Sequence, residues 1–289
     1  MAGEAFDCEG APRDLGLDQG RACRAELRRA FGAESWWNRC RLWAGHFAAP
    51  TVRVARDVAR HFPRQSETLE GIAVGAGVPF AWLVERLDAE FESAPLPALA
   101  VQVAAGGSWL ARAHGGPVRA RRRRPEGGFR SLELVRPWLG AALAGVNECG
   151  LAAVAVAGSS DAADCAAPSG LLIQDCLERF ERVDAALDWC VGRPCGYAAT
   201  LLMADIRGDV AGVVCAADGR RVLRPADGLL VAEVPGAHGD LAKRLRESAP
   251  LDPASVALAA PPLSVVALDP TGRRLGVDAG TPGLRWLDV

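Results

Sequence analysis

Ser93, Arg112, His114, Asn147 and Cys149 are the side chains whose type and setting could carry chemistry in this 289-residue chain. Three of them fall in or beside the stretch FESAPLPALAVQVAAGGSWLARAHGG, residues 91 to 116. That stretch reads as a helix end, two stiffening prolines, a strand, a Gly-Gly turn and a second strand. A strand opening after a constrained loop is a good place to present a nucleophile. Yet Pro95 to Val103 contains no Cys, Ser or Thr. An alkyl side chain has no lone pair to attack a carbonyl, so acyl chemistry here would need a group from elsewhere.

Each candidate has a simpler role beside its chemical one. Cleavage before Ser93 would expose a Ser nucleophile, but Pro95 and Pro97 hold it off the strand, and a helix-end cap accounts for it. His114 suits a general base in a polar turn, although an exposed loop histidine has the same signature. Cys149, in NECGL, is either a displaced nucleophile or filler beside a strand. Asn147 is expected to pin the turn before that strand. Cys190 and Cys195 are spaced C-x4-C, but a metal would need two more ligands and none is suggested, so no metal or cofactor is expected. The sharpest surface feature is VRARRRRP. Arg119, Arg121, Arg122, Arg123 and Arg124 are expected in a solvated loop before Pro125, with contact to an acidic ligand or partner as the functional alternative.

These residues need elements to hold them. Residues 15 to 91 carry helical periodicity, broken at Pro63 and again at Gly77-Val78-Pro79. Gly71, Gly75 and Gly77 are each costly in a helix, by about 1 kcal/mol relative to Ala, which predicts close packing of another element on that face. From residue 98 the pattern turns to strands: Val101–Val103 and Trp109–Ala113 around Gly106-Gly107, then LAAVAVAG at 151–158. Helical spacing returns at Val183, Ala186, Leu187 and Cys190, which makes Cys190 a core residue. Strands follow to the C-terminus. Helices, strands, helices, strands is the order of an α+β protein with sheets sandwiched between helices, read as one domain over 1–289.

Composition narrows the function classes. The net charge of -2 predicts no nucleic-acid or membrane partner. No apolar run approaches the ~20 residues of a membrane span, and the acidic start is unlike a secretory signal. Nine cysteines, an odd number with no C-x-x-C, read as reduced thiols in a cytoplasm.

Several stretches together resemble the penicillin acyltransferase-type family of N-terminal-nucleophile hydrolases. LGLDQGRACRAEL is similar to its G-x-x-x-G opening helix, and LEGIAVGAGVPFAWLVERLDAEFE to its E-x-x-G-I-A-x-G-x-G segment. GVNECGLAAVAVAG resembles its G-x-N-x-x-G-L strand entry. ERVDAALDWC, TLLMADIRGDVAGV and VVALDPTGRRLGVDAGTP resemble its later helix, A-D-x-x-G hairpin and terminal strand pair. The set runs in order over nearly the whole chain. It implies an αββα sandwich, with 1–97 a helical segment equivalent to the family's α chain and 98–289 equivalent to its β chain. It also implies a precursor that cuts itself before a Cys, whose thiol then serves as nucleophile and whose α-amine serves as base.

This chain departs from that pattern where the chemistry would be. With Arg112 in the place of the family's Arg, the nucleophile position falls at or beside Ala98. Gly115 then stands where an Asp is expected, and Thr200 matches an oxyanion-stabilising Asn. The Thr-Asn-His expected after Gly228-Leu229-Leu230-Val231 reads Ala232-Glu233-Val234. The expectation is a pseudoenzyme of the amidohydrolase/acyltransferase type that does not cleave itself and serves as a small-molecule binding or partner protein. The rival is an active enzyme using the same cavity with a displaced nucleophile or non-covalent chemistry.

Overall fold

A computed structural model describes residues 4–46, 49–92, 98–102, 107–157, 167–194, 196, 199–216, 219–232, 264–278 and 284–289. Ser93, Cys165, Cys195 and His238 lie outside them, as do Glu233 and Val234.

The N-terminal third is mainly helical: α1 (Pro12–Ala22), α2 (Arg24–Gly32), α3 (Trp36–Trp43), α4 (Ala49–His61), α5 (Pro63–Ala76) and α6 (Phe80–Glu92). Pro63 ends the pattern of α4 and supplies the first turn of α5, where its missing N–H costs nothing. Gly77 ends α5 in the left-handed region, at φ 69°. The glycine-rich faces explain each other. Gly16 and Gly20 of α1 meet Gly71 and Gly75 of α5 backbone to backbone. A Cβ added at Gly16 would lie 2.9 Å from the Gly71 Cα, and one at Gly75 would lie 3.1 Å from the Gly20 Cα. The close packing expected at Gly71 and Gly75 is therefore contact with the opening helix, while Gly77 serves as the cap.

Two sheets follow. The first has the order β1-β4-β5-β6-β7-β8-β9-β10. Its strands are β1 (Phe6–Gly10), β4 (Arg119–Pro125), β5 (Ser131–Val135), β6 (Ala144–Asn147), β7 (Ala152–Ala157), β8 (Ala199–Ala204), β9 (Val210–Ala216) and β10 (Gly219–Leu223). The second has the order β11-β2-β3-β12-β13-β14. It comprises β2 (Ala98–Gln102), β3 (Ser108–His114), β11 (Leu229–Ala232), β12 (Ser264–Asp269), β13 (Arg274–Asp278) and β14 (Leu284–Asp288).

Apolar residues alternate to both faces of the eight-stranded sheet. Leu132, Leu134, Val146, Val154 and Leu202 pack against Leu110, Val266 and Leu268 of the other sheet. Ala153, Leu201, Met203 and Val213 point the other way, into the core shared with the helices. That helical layer includes α7 (Leu172–Arg179) and α8 (Val183–Gly192). Cys190 is in this core, as its spacing predicts, with its Sγ 3.4 Å from that of Cys176. On the outer face of the six-stranded sheet Trp109, Ala111, Ala113, Val265 and Ala267 are buried as well. Among the described residues no helix is long and apolar enough to cross a membrane.

Two expectations are corrected. Residues 1–97 are not purely helical, because β1 pairs in parallel with β4, Phe6 opposite Arg121. The arginine run is also not a loop. Arg119–Pro125 is β4, and its period of two sends Arg121 and Arg123 inward while Arg124 stays exposed. The inward pair is held by carboxylates that sequence distance conceals. Glu133 sits directly opposite Arg121 on β5, and Glu178 comes from α7.

Candidate functional site

The hairpin of β2 and β3 places the candidate residues on one face. Ala98 is the register partner of Arg112, Val266 flanks Arg112 on the other side, and Ala232 flanks Ala98. Ala98, Ala232 and Val266 are all in the inter-sheet core, so Arg112 is one charged member of an otherwise aliphatic row. His114, two residues on, shares the face of Arg112 and is buried at 6 % exposure. From the opposite sheet, β8 directs Leu202 and Ala204 into the same layer, and alternation gives Thr200 that face too. Ser108 ties the two sheets, its Oγ donating to the Asp205 carbonyl at 2.8 Å.

Arg112 is 7 % exposed. Its Nε and Nη1 are enclosed and have no hydrogen-bond partner among the described residues. Burial, reinforced by the charge of Arg136, lowers its pKa to about 10, with Glu90 opposing the shift. Glu90 is engaged elsewhere, accepting from Arg136 Nε at 2.9 Å. Arg136 Nη1 donates to the carbonyls of Gly115 and Pro117, which fixes the chain leaving β3. A Cβ added at Gly115 would meet nothing within 4 Å.

Asn147 belongs elsewhere. It is fully buried on the helix-facing side of β6, where Nδ2 donates to the carbonyls of Leu177 at 3.0 Å and Phe180 at 2.8 Å. Its Oδ1 accepts from the N–H groups of Cys149 at 3.1 Å and Leu151 at 2.9 Å. All four bonds hold the turn, which is the structural role its position suggests, and they place it outside the inter-sheet group. Cys149 is half-buried in that turn. Burial, then Glu181 and Glu148, push its thiol pKa up against the pull of Arg273. Asp205, in the A-D-x-x-G hairpin, does comparable work. Its carboxylate accepts from the N–H groups of Val183, Arg207 and Asp209.

A buried polar cluster that the sequence barely marks lies at the junction of α1, β4, β5 and α7. Glu133 Oε2 accepts from Arg121 Nε at 2.8 Å and also from Arg121 Nη2, while its Oε1 accepts from Ser131 at 2.6 Å and Gln174 at 2.9 Å. Gln19 accepts from Arg121 and donates to the carbonyl of Leu139 at 2.8 Å. Glu178 joins Arg123 at 2.6 Å and Arg64 at 3.1 Å. The one sequence signal is a Glu in the apolar strand SLELV facing arginines at a period of two. A separate cleft of about 540 Å³ lies within the helical layer, lined by Leu42, Trp43, Val74, Val78 and Phe80, with none of the candidate residues in it.

No family model matches this chain, and no curated protein matches it. Solved structures do. The Caenorhabditis elegans ortholog of N-acylethanolamine-hydrolyzing acid amidase is similar at 13 % identity and TM-score 0.50, covering 61 % of this chain and 93 % of its own. The C2A mutant of conjugated bile acid hydrolase from Clostridium perfringens gives 9 % and 0.47, covering 67 % and 92 %. Penicillin V acylase from Agrobacterium tumefaciens gives 14 % and 0.47, covering 67 % and 86 %. The first comparison supports the fold, an α+β sandwich of the N-terminal-nucleophile hydrolase type.

Proposed function

We propose that this chain is a catalytically silent relative of the amide-hydrolysing proteins of its fold, one that stays in a single piece and holds a small molecule without bonding to it. The observation that carries this reading is Ala98. It opens the strand where a nucleophile would stand, it faces Arg112, and it offers only a methyl group. Gly115 and Thr200 support it, since neither supplies the carboxylate or amide that acyl transfer would use there. Cys149 is poorly suited as a replacement. Its raised pKa keeps it a thiol at neutral pH, and it sits in the turn pinned by Asn147.

Intact-mass measurement tests the first half, with one species of full length expected. Two fragments, with a new N-terminus between residues 93 and 100, would overturn it and make Ser93 the nucleophile. An acyl-phosphonate probe and a thiol-directed probe test the second half. No stoichiometric label is expected. A label on one residue, lost when Cys149 is changed to Ala, would establish the active-enzyme reading instead.

A further inference from the structure

We propose that the exposed face of α3 is a self-association surface. A second copy of this chain docks there antiparallel, α3 against α3, and the Trp36–Trp37 pair of each copy sits in the helical-layer cleft of the other. The proposal goes beyond the reading above and does not depend on it.

Helix α3 turns its apolar stripe away from the core. Its buried side chain is Leu42, and Arg41 ties the helix to Glu85 of α6 at 2.8 Å. On the solvent side stand Trp36, Trp37 and Trp43, exposed by 59 %, 76 % and 60 %, with Cys40 exposed between them. Trp36, Cys40 and Trp43 follow the i, i+4, i+7 spacing of a helix-pairing seam. Trp36 and Trp37 pack edge to face, 4.4 Å between ring centroids, and so form one joint projection. Large apolar groups contiguous on a surface mark a place where something docks, whereas single ones do not.

The shape of the patch names the partner. The cleft of about 540 Å³ begins at the other end of the same helix, where Trp43 lines it with Leu42, Val78, Phe80 and the 58 % exposed Val74. One helix thus carries a projection at its N-terminal end and a recess at its C-terminal end, about 9 Å apart by helical rise. A two-fold contact requires this self-complementarity, because each copy gives a projection where the other gives a recess. Cys40 stands three residues from both Trp37 and Trp43, so the two-fold axis of an antiparallel pair passes beside it. Aromatic side chains bury about 150–250 Å² each when enclosed, so three mostly exposed ones from each copy, with the cleft linings that receive them, reach the ~1,000 Å² of a specific interface. A lipid surface is flat. It would cover the tryptophans, leave the cleft unfilled and strip water from Arg13 and Glu70 in its lining.

The test is analytical ultracentrifugation of the full chain across a dilution series, where a reversible monomer–dimer equilibrium is expected. Trp37→Glu, on the projection, and Val74→Glu, in the recess, should each raise the dimer dissociation constant by about tenfold or more. Both positions are exposed, so both variants should keep the wild-type circular dichroism. A short bismaleimide should join the two copies through Cys40 on each, as mapped by peptide mass, and Cys40→Ser should abolish the link. A chain that stays monomeric, a dimer unchanged by either Glu variant, or a dimer not linked through Cys40 would overturn the proposal. So would a monomer that sediments with phosphatidylcholine–phosphatidylserine vesicles and loses that binding on Trp37→Glu, which would assign the face to a membrane. Where a Glu variant does not fold, the Cys40 link in the unmutated chain decides.

Discussion

Arg112 faces Ala98 across the β2–β3 ladder, and both side chains turn toward the eight-stranded sheet. Ala98→Cys would put a thiol under the direct influence of a buried cation, which favours the thiolate. The expected result is that the introduced thiol is alkylated by iodoacetamide at pH 7 several times faster than the same thiol in the Ala98→Cys, Arg112→Met double variant, measured by peptide mass mapping. Burial affects both variants alike, so the comparison isolates the arginine. Equal rates would mean that Arg112 does not act on position 98.

The α1–α5 crossing predicts a large cost for one methyl group. A Cβ at Gly71 would lie 2.8 Å from the Leu17 N and 2.9 Å from the Gly16 Cα, which are backbone atoms that cannot swing aside. Gly71→Ala should lower stability by about 1–3 kcal/mol, the usual range for overpacking, even though Ala is the better helix former. Gly32→Ala, where an added Cβ meets nothing within 4 Å, serves as the control and should be neutral or stabilising. Denaturant midpoints report both.

Much of this architecture is legible in the sequence because it rests on periodicity. Pro63, the break at Gly77-Val78-Pro79, the core position of Cys190 and the packing need of Gly71 and Gly75 are local signals, although the fold meets the last of them with the distant helix α1. The arginine run misleads because its solution is not local. Arg121 finds Glu133 through strand pairing and Arg123 finds Glu178 through helix packing, so neither carboxylate marks the run from nearby in sequence. Strand β1 is hidden for the same reason. Its alternation is weak, and its pairing partner lies more than a hundred residues away in β4. At the site, the lack of Cys, Ser and Thr from Pro95 to Val103 is legible from composition alone, whereas the enclosed nitrogens of Arg112 depend on what the fold places around them.

The Arg121–Glu133 pair predicts a specific acid sensitivity. Burial by itself would raise the Glu133 pKa, but Arg121 and Arg123, with hydrogen bonds from Ser131 and Gln174, outweigh it and hold the carboxyl below its usual range. A depressed folded-state pKa stabilises the protein above the unfolded value, about 4.3 for Glu, and the contribution is lost as pH falls through the folded value. Glu133→Gln should therefore cost roughly 3–5 kcal/mol at pH 7 by leaving Arg121 without its charge partner. The gap from wild type should narrow as denaturant midpoints are taken down toward about pH 3. A gap that stays constant would show that Glu133 does not titrate with folding.

The arginines of β4 should divide by face. Arg124 is exposed and lies 3.6 Å from Glu9 and 4.0 Å from Asp7, spacings that surface screening makes nearly worthless. Arg124→Ser should change stability by no more than about 0.5 kcal/mol. Arg123 is fully buried, and its replacement by Ser would leave Glu178 enclosed with only the half-exposed Arg64 to balance it. That change should cost about 3–5 kcal/mol. Arg123→Met fills most of the volume yet still strands Glu178, so it should recover only the packing part of the loss, whereas Arg123→Met combined with Glu178→Gln should recover more. Thermal unfolding of the four variants separates these outcomes. Equal small effects at positions 123 and 124 would restore the solvated loop that the sequence suggests.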